Sequence, residues 1–296
     1  MNKMDFSIVS TSLSDYVDAN KTGLIAKSSL GAKSLNYLNI QSGVQGKATL
    51  NVLNTTVTFG SGAACGWNEA GSSTVTERDL ETIPLKVNMS FCDKSLYGKA
   101  SNYNVKMAAN GASLPFEEVF IGDVVNGVAE KLDTMIWQGV NTTANTDFDG
   151  FATLLAAQKV TLTNTTVKQA IDSVYEDIDA SILDKAMIFV GMDTFRGYVK
   201  ELTDANLFHY APAVDGSFEV IIPGTNTKVV GLKGIDTKDI FAADPANLFF
   251  GCDLANDQES FDFWYSKDNR EFRLAIGLSG GVQVAFPTQV IFAERA

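Results

Sequence analysis

The stretch from Pro115 to Gln138, PFEEVFIGDVVNGVAEKLDTMIWQ, carries the clearest helical pattern in this 296-residue chain. It opens with proline, places two glutamates in its first turn and stops before Gly139, all of which favour a helix with these ends. Apolar residues recur every three or four positions, at Phe120, Val124, Val128, Leu132 and Met135. We therefore predict a helix of about 24 residues, roughly 36 Å long, as the backbone of the fold.

Two glycines, Gly122 and Gly127, lie inside this predicted helix. Each costs roughly 1 kcal/mol of helix stability relative to alanine. The sequence therefore predicts that another backbone packs closely against the helix at these positions.

Before the helix, residues 48–91 contain two β-rich runs around the glycine-rich segment GSGAACGWNEAGSS. Apolar and β-branched residues define the first run, at Leu50, Val52, Thr55, Val57 and Phe59. Similar residues define the second run, at Val75, Thr76, Ile83, Leu85, Val87 and Met89. We predict one long β-hairpin. A two-stranded ribbon is marginal in water, so the hairpin must pack on another element or another subunit.

The N-terminal region, residues 1–47, is rich in Ser, Asn and Lys and shows no sustained period apart from a short helix near Leu13 to Val17. We predict an extended arm that lies across another element. Residues 1–50 hold five lysines against three aspartates, a net charge of +2. Because the whole chain has a net charge of −12, residues 51–296 carry −14. The pattern is that of a weakly basic arm on an acidic body.

After the helix, the sequence predicts an α/β unit. Thr166 and Gln169 form a T-x-x-Q capping box for a second helix, residues 186–190 read as a buried strand, and Asp193 is placed to cap a third helix. Further strand-like segments follow, at Phe218 to Ile222, Val229–Val230, Asn247 to Cys252, Phe261 to Tyr265, Phe272 to Ile276 and Val282 to Phe292. Hairpins with segregated helices indicate the α+β class.

The amino-acid composition excludes several classes of function and of structure. The net charge of −12 argues against a surface that grips nucleic-acid phosphates over a whole face. The three cysteines, Cys65, Cys92 and Cys252, are too few for a disulfide framework and are expected to be reduced. The sequence predicts neither a signal peptide nor a membrane helix.

Three motifs resemble functional sites, but each favours a structural interpretation. The only histidine, His209, lies among aromatics with no nucleophile nearby. Residues 145–150 match half of a calcium loop, yet Ala156 stands where its bidentate glutamate is needed. The run from Gly60 to Gly66 lacks the G-x-G-x-x-G spacing of a phosphate loop. We therefore predict no catalytic, cofactor or metal site.

The order of these elements resembles the major capsid proteins of tailed bacteriophages, whose Hong Kong 97 phage-type fold is shared with encapsulin shells. Short segments carry the resemblance, at Val190 to Arg196, Val199 to Asn206, Ile222 to Val230, Leu248 to Asp253 and Val282 to Val290. It implies an N-terminal arm (1–47), an E-loop hairpin (48–91), a P-domain with a spine helix at about 115–138 (92–165), an A-domain (166–275) and a C-terminal strand returning to the P-domain (276–296).

The resemblance also implies a function. The chain would form hexamers and pentamers of an icosahedral virion shell around double-stranded DNA, assembled in the host bacterial cytoplasm with a separate scaffolding protein, a portal protein and decoration proteins as partners. Inter-subunit contacts are expected on the E-loop, at Leu50, Val52, Val57, Phe59, Trp67, Val75, Arg78, Ile83 and Leu85. Some family members are crosslinked through an E-loop lysine, but residues 48–85 contain none, so a noncovalent shell is expected.

Three other interpretations stay open. An encapsulin-like compartment would enclose protein instead of DNA. A monomeric carbohydrate-binding or adhesin-like protein would use Trp67, Trp137, Trp264 and Tyr265 as a ligand platform, although Trp137 on a helix and Trp264 in an alternating strand are more typical of core packing. An enzyme would need a pocket with convergent titratable groups.

Overall fold

The computed structural model describes residues 6–59, 71–92, 116–142, 146–164, 166–205, 218–253 and 260–295. The helices are α1 (Phe6–Leu30), α2 (Phe116–Gln138), α3 (Phe151–Leu154), α4 (Val167–Glu176) and α5 (Met192–Asp204). Short 3₁₀ helices occupy Lys33–Tyr37, Ala156–Gln158, Pro245–Asn247 and Pro287–Gln289. The strands are β1 (Asn39–Ser42), β2 (Lys47–Val57), β3 (Gly71–Glu81), β4 (Ile83–Cys92), β5 (Val160–Leu162), β6 (Met187–Gly191), β7 (Glu219–Ile221), β8 (Lys228–Leu232), β9 (Asp239–Ala243), β10 (Leu248–Cys252), β11 (Ser260–Ser266), β12 (Glu271–Val284) and β13 (Ile291–Arg295). The predicted α+β class is confirmed.

Helix α2 matches the predicted long helix to within one residue. Its buried face includes Ile121, Val125, Leu132 and Trp137. Gly139 follows its last residue, and only glycine fits there, because a Cβ would lie 2.2 Å from the carbonyl oxygen of Phe148.

Two sheets pack on α2 through one apolar core. The five-stranded sheet has the order β1-β10-β12-β11, with β4 on the free side of β12, and the six-stranded sheet has the order β5-β13-β9-β6-β8-β7. The ring of Trp137 contacts the rings of Phe189 and Phe241, at 5.4 and 5.0 Å between centroids. The opposite face of the six-stranded sheet is covered by α4 and α5, which form a second core with it.

The N-terminal arm is not extended, contrary to the sequence prediction, because residues 6–30 form a 25-residue helix. Val17, Leu24 and Ser28 are buried along one side of α1, which contacts α2 and β11. Lys21 also pairs with Asp262 of β11 at 2.9 Å. Tertiary contacts therefore hold a helix that its Ser-rich sequence favours only weakly.

The predicted hairpin is shorter than expected. Strands β2 and β3 pair with each other from Lys47↔Glu81 to Val57↔Gly71 and form a separate two-stranded sheet. Ile83, Leu85, Val87 and Met89 lie instead on β4, which pairs with β12 along its length. Because β4 obtains its hydrogen bonds from β12, the ribbon ends at Glu81, and the prediction that these four residues belong to the hairpin is wrong.

The C-terminal region also differs from the prediction. Val282 to Phe292 is not one strand, because a turn at Pro287–Gln289 separates β12 from β13. Strand β13 joins the six-stranded sheet between β5 and β9, whereas β10 and β11 lie in the sheet that contains β4. Residues 276–280 pair with β4 as part of β12, whereas residues 291–295 form β13 in the six-stranded sheet. The domain limits and the return of the C-terminal strand to the P-domain stay predictions.

Helix caps were predicted with mixed success. The Thr166 hydroxyl accepts a hydrogen bond from the backbone N–H of Gln169 at 3.2 Å, which confirms the N-cap. The Glu201 carboxylate adds two more, from the N–H groups of Val167 and Lys168. Asp193 does not cap α5, because Gly191 is the N-cap residue and Asp193 lies in the first turn.

Candidate assembly surface

The far half of the hairpin carries an uncovered apolar patch, which we call the hairpin patch: Leu53, Val57, Phe59 and Val75. These side chains are 61, 72, 97 and 64% exposed. Leu53 and Val75 are direct partners across the two strands. Within residues 52–59 and 71–76 no side chain is charged. Contiguous exposed apolar surface of this kind is typical of an interaction site.

The near half of the hairpin is covered inside the subunit. Leu50 and Val52 are only 8 and 7% exposed, and Leu50 packs with Val44 and Leu80. Arg78, the register partner of Leu50, is half-buried. Of the predicted contact residues, Leu50 and Val52 are therefore already packed within the subunit, whereas Val57, Phe59 and Val75 are free to contact another surface. Trp67 lies outside the described residues.

Hydrogen bonds fasten the base of the hairpin to the five-stranded sheet. The N–H of Thr82 donates to the Gly46 carbonyl at 2.8 Å, and its hydroxyl donates to the Val44 carbonyl at 3.2 Å. The Gln283 amide donates to the Asp79 carbonyl at 2.6 Å. Gly46 makes the entry turn with a φ of 74°, which a side chain would disfavour. The base is thus fixed while the far end projects.

The remaining predicted site residues lie on or beside α2. Ile83 and Leu85 are half-buried on β4 against the main core, as are Phe120 and Val124 of α2. Val128 and Leu132 are buried. The predicted spine residues are thus core residues, and none of these six belongs to the hairpin.

An open groove runs between β4 and the N-terminal half of α2, with a volume of about 670 Å³. We call it the α2 groove, and its lining residues are Met89, Phe91, Val119, Phe120, Gly122, Asp123, Val124 and Asn126. The rings of Phe91 and Phe120 meet edge to face at 4.9 Å in its wall. A Cβ on Gly122 or Gly127 would meet no described atom within 4 Å, so the described part of the subunit does not supply the close backbone packing predicted at these glycines.

A buried polar junction joins three parts of the chain, and sequence reasoning missed it. The carboxylate of Asp133 accepts hydrogen bonds from the backbone N–H groups of Ser34 at 2.9 Å and Gly234 at 3.1 Å. The indole N–H of Trp137 donates to the Ser34 hydroxyl at 2.6 Å. The i, i+4 spacing of Asp133 and Trp137 was the available signal, because it places a carboxylate on the buried side of α2. Trp137 is therefore not part of a ligand platform.

A second polar contact ties the segment after α1 to the edge of the six-stranded sheet. The Tyr37 hydroxyl donates to Glu219 at 2.6 Å, and Lys228 pairs with the same carboxylate at 3.1 Å. Burial, with help from this hydrogen bond, raises the pKa of Tyr37. The hydrogen bond from Tyr37, together with Lys228, lowers the pKa of Glu219.

Lys159 forms a comparable surface network, pairing with Glu294 at 2.8 Å and with Asp239 at 3.9 Å. Burial raises the pKa of Asp239, although the hydrogen bond from Gln138 opposes the shift. Neither this network nor the contact between Tyr37 and Glu219 lines a pocket described above.

The described residues of the half calcium loop bind other groups of the protein. Asp149 accepts a hydrogen bond from the N–H of Asn141 at 2.7 Å, and Asp147 lies 3.8 Å from Lys131. Across the described ranges no three His, Cys, Asp or Glu residues are grouped to hold a metal. His209, Cys65 and residues 60–66 lie outside those ranges. Trp264 is 44% exposed, which corrects the expectation of core packing. None of the described helices is long and apolar enough to span a membrane.

Of the comparisons with known proteins, only the comparison with solved structures finds matches. No protein-family model and no curated protein matches the chain. The solved satellite phage P4 procapsid with its size determination (Sid) protein aligns over 93% of this chain and 91% of the other, with a TM-score of 0.65 and 9% identity. A Gordonia phage Cozz structure aligns over 88% and 85%, with a TM-score of 0.60 and 12% identity. A virus-like particle from Pyrococcus furiosus aligns over 92% and 96%, with a TM-score of 0.50 and 7% identity.

At such low identity the similarity is one of fold, and it extends over nearly the whole chain. In this chain the fold consists of a two-stranded hairpin, a long helix and two larger sheets among the described residues. The protein therefore has the Hong Kong 97 phage-type fold that the sequence resemblance indicated.

Proposed function

We propose that the chain is the major capsid protein of a tailed bacteriophage and that its copies assemble, as hexamers and pentamers, into an icosahedral shell around double-stranded DNA. The observation that carries the proposal is the hairpin patch, an uncharged apolar surface that projects from a fold found in capsid shells. An isolated subunit leaves this patch in water, whereas a neighbouring copy can cover it.

The energetics favour assembly through repeated small contacts. Burying a Leu, Val or Phe side chain stabilises a contact by about 1.5–3 kcal/mol, before the entropy lost on association is counted. One hairpin contact is therefore modest. A closed shell repeats the contact at every subunit, so the contacts reinforce each other.

The charge of the chain supports an enclosed DNA genome that is not bound by sequence. With a net charge of −12, the protein repels phosphate overall and would not trap DNA while the shell fills. We infer a virion location, assembly in the host bacterial cytoplasm, and a separate scaffolding protein, a portal protein and decoration proteins as partners. The absence of lysine from residues 48–85 supports a shell held by noncovalent hairpin contacts.

A shell around protein cargo is the second candidate, because the fold is also that of the Pyrococcus furiosus virus-like particle. Nucleic acid in purified particles would favour the first candidate, and a uniform protein cargo would favour the second. A catalytic role is not proposed, since the polar side chains of the described residues bind one another and backbone groups, joining structural elements.

The proposal is tested by negative-stain electron microscopy and light scattering of the purified full chain, alone and co-expressed with scaffolding candidates. Uniform hollow shells, rings or capsomers are expected. A strictly monomeric protein at every concentration and in every co-expression would overturn the proposal.

Removing residues 60–73 from the hairpin end tests the role of the hairpin separately. The subunit should stay folded, because both cores lie elsewhere, but assembly should fall sharply. Circular dichroism checks the fold, and sedimentation measures assembly. Full assembly of the shortened chain would remove the hairpin from the mechanism.

A further inference from the structure

The five-stranded sheet presents an aromatic ring on the face that points away from the core. Phe263 and Tyr265 of β11 pack in the main core. Since successive residues of a strand point to opposite faces, Trp264 between them points outward, where it is 44% exposed. Neither the hairpin patch nor the α2 groove includes this side chain. The indole ring is therefore available to a ligand.

Polar side chains of the neighbouring strands surround the ring. In the register of the sheet, Trp264 is the partner of Arg273 on β12, and Arg273 is the partner of Ser90 on β4. Asn88 lies two residues before Ser90 on the same face, and both are exposed. Together with Glu271, these residues line an open cavity of about 360 Å³, which we call the Trp264 site.

Glu271 fixes the position of the arginine in this site. The Nε and Nη2 atoms of Arg273 both lie 2.9 Å from the Oε1 atom of Glu271. These contacts use two of the five N–H groups of the guanidinium. Within the described ranges, the other N–H groups of Arg273 and the Oε2 atom of Glu271 form no hydrogen bond. The pair is therefore neutral as a whole and still presents donors and an acceptor beside the indole ring.

We propose that the Trp264 site binds a neutral carbohydrate. A pyranose ring has an apolar C–H face, which can stack on the exposed indole, and hydroxyl groups at its edge, which both donate and accept hydrogen bonds. Arg273 supplies donors, Glu271 supplies an acceptor, and the Asn88 amide and the Ser90 hydroxyl supply both. The cavity volume lies within the range of about 300–1,000 Å³ that is typical of small-molecule sites.

Other classes of ligand fit the site less well. A phosphate or nucleic acid would meet the Glu271 carboxylate beside the arginine, and binding of phosphates requires unpaired positive charge. An apolar protein surface would cover one ring but would remove water from the polar groups around it. All five residues of the Trp264 site lie on one subunit, so binding should not require assembly of a shell.

Saturation-transfer difference NMR on the purified full chain tests the site. The probes are neutral tetrasaccharides of glucose, of mannose, of galactose and of N-acetylglucosamine. Saturation transfer to the ring C–H protons of at least one probe is expected, and titration gives its dissociation constant. Trp264→Ala should weaken that binding at least tenfold, because the stacking surface is lost. Trp264→Phe keeps an aromatic face and should retain more of the affinity.

Lys86→Ala is the matched control. Lys86 is exposed on the same face of the sheet, but it is the register partner of Gly277 and does not line the Trp264 site. The affinity of this variant should equal that of the unmodified chain. Circular dichroism checks that all three variants are folded, which is expected because the changed side chains are exposed.

The outcomes separate carbohydrate binding from the capsid function. No saturation transfer to any of the four probes, or binding that Trp264→Ala leaves unchanged, would overturn carbohydrate binding. If no probe binds and Trp264→Ala instead lowers the assembled fraction, the face is a contact between protein subunits, which also overturns it. A chain that binds a probe through Trp264 but never assembles would support the Trp264 site while overturning the capsid function.

Discussion

Strands β9 and β3 differ in how far their residues are buried within one subunit. All five residues of β9 are buried at the centre of the six-stranded sheet, whereas nine of the eleven residues of β3 are exposed. The first strand completes its packing when the subunit folds. The second exposes mostly polar residues together with Val75, which joins Leu53 of β2 in the hairpin patch that a neighbouring molecule can cover. Folding and assembly should therefore respond to different substitutions.

The largest effect on folding is expected from Trp137→Ala in the core shared by α2 and both sheets. The side chain is fully buried against aromatic rings, and its loss should destabilise the subunit by about 3–5 kcal/mol. Chemical denaturation of the unassembled protein measures the change. Trp264→Ala is the matched control, because that side chain is 44% exposed and should cost far less. Equal costs at the two positions would contradict the placement of the core.

A smaller but clear effect is expected from Asp133→Asn. The asparagine amide can accept a hydrogen bond from only one of the two N–H groups that Asp133 serves, and it turns a donor towards the other. A buried unsatisfied group costs about 1–3 kcal/mol. Denaturation measures the loss, with Asp123→Asn on the exposed side of the same helix as control. Indistinguishable stabilities would show that the junction does not hold the N-terminal segment.

The elements that could be predicted from the sequence are those that local contacts determine, and the elements that could not depend on distant contacts. Helix α2 and the Thr166 cap could be predicted because their signals lie within one or two turns. The position at which the hairpin stops, at Glu81, could not be predicted, because it depends on the pairing of β4 with β12, which lies about 190 residues later in the chain. Only a short part of helix α1 was predicted, because its sequence is rich in Ser, and its stability comes from contacts with α2 and β11.

For the candidate site, the sequence located the hairpin and its apolar residues but not the sides on which they lie. Alternation groups Leu50 with Val52 and Leu53 with Val57, yet only the structure shows that the first pair faces the subunit. Gly122 was the sequence signal for the α2 groove, although the described residues do not include the backbone that was predicted to pack against it.

A pH-dependent effect of moderate size is expected at Glu219. Its pKa is lowered in the folded state, so its stabilising contribution is present above the unfolded value of about 4.3 and is lost as the pH falls through the lower folded value. Tyr37→Phe removes the main cause and should flatten this part of the profile between about pH 3 and 5. Unfolding free energies of both proteins over this range provide the check. Parallel profiles would show that the hydrogen bond does not stabilise the fold.

The smallest effect on folding is expected from Leu53→Thr combined with Val75→Thr, although this pair should impair assembly most selectively. Both side chains are more than half exposed, and threonine keeps the preference for strand, so subunit stability should change by less than about 0.5 kcal/mol. The assembled fraction, measured by sedimentation, should fall at least tenfold, which corresponds to a weakening of about 1.4 kcal/mol in the association of each hairpin with its neighbour.

Leu50→Thr is the decisive companion, because it makes the same chemical change on the same strand but on the covered face. It should lower the free energy of unfolding by about 2 kcal/mol or more, since it removes apolar packing and buries a hydroxyl beside Val44 and Leu80. If the outer pair instead destabilised the isolated subunit as much as Leu50→Thr, the far half of the hairpin would already be covered within one copy. The division between folding and assembly surfaces would then fail at the point where it is drawn most sharply.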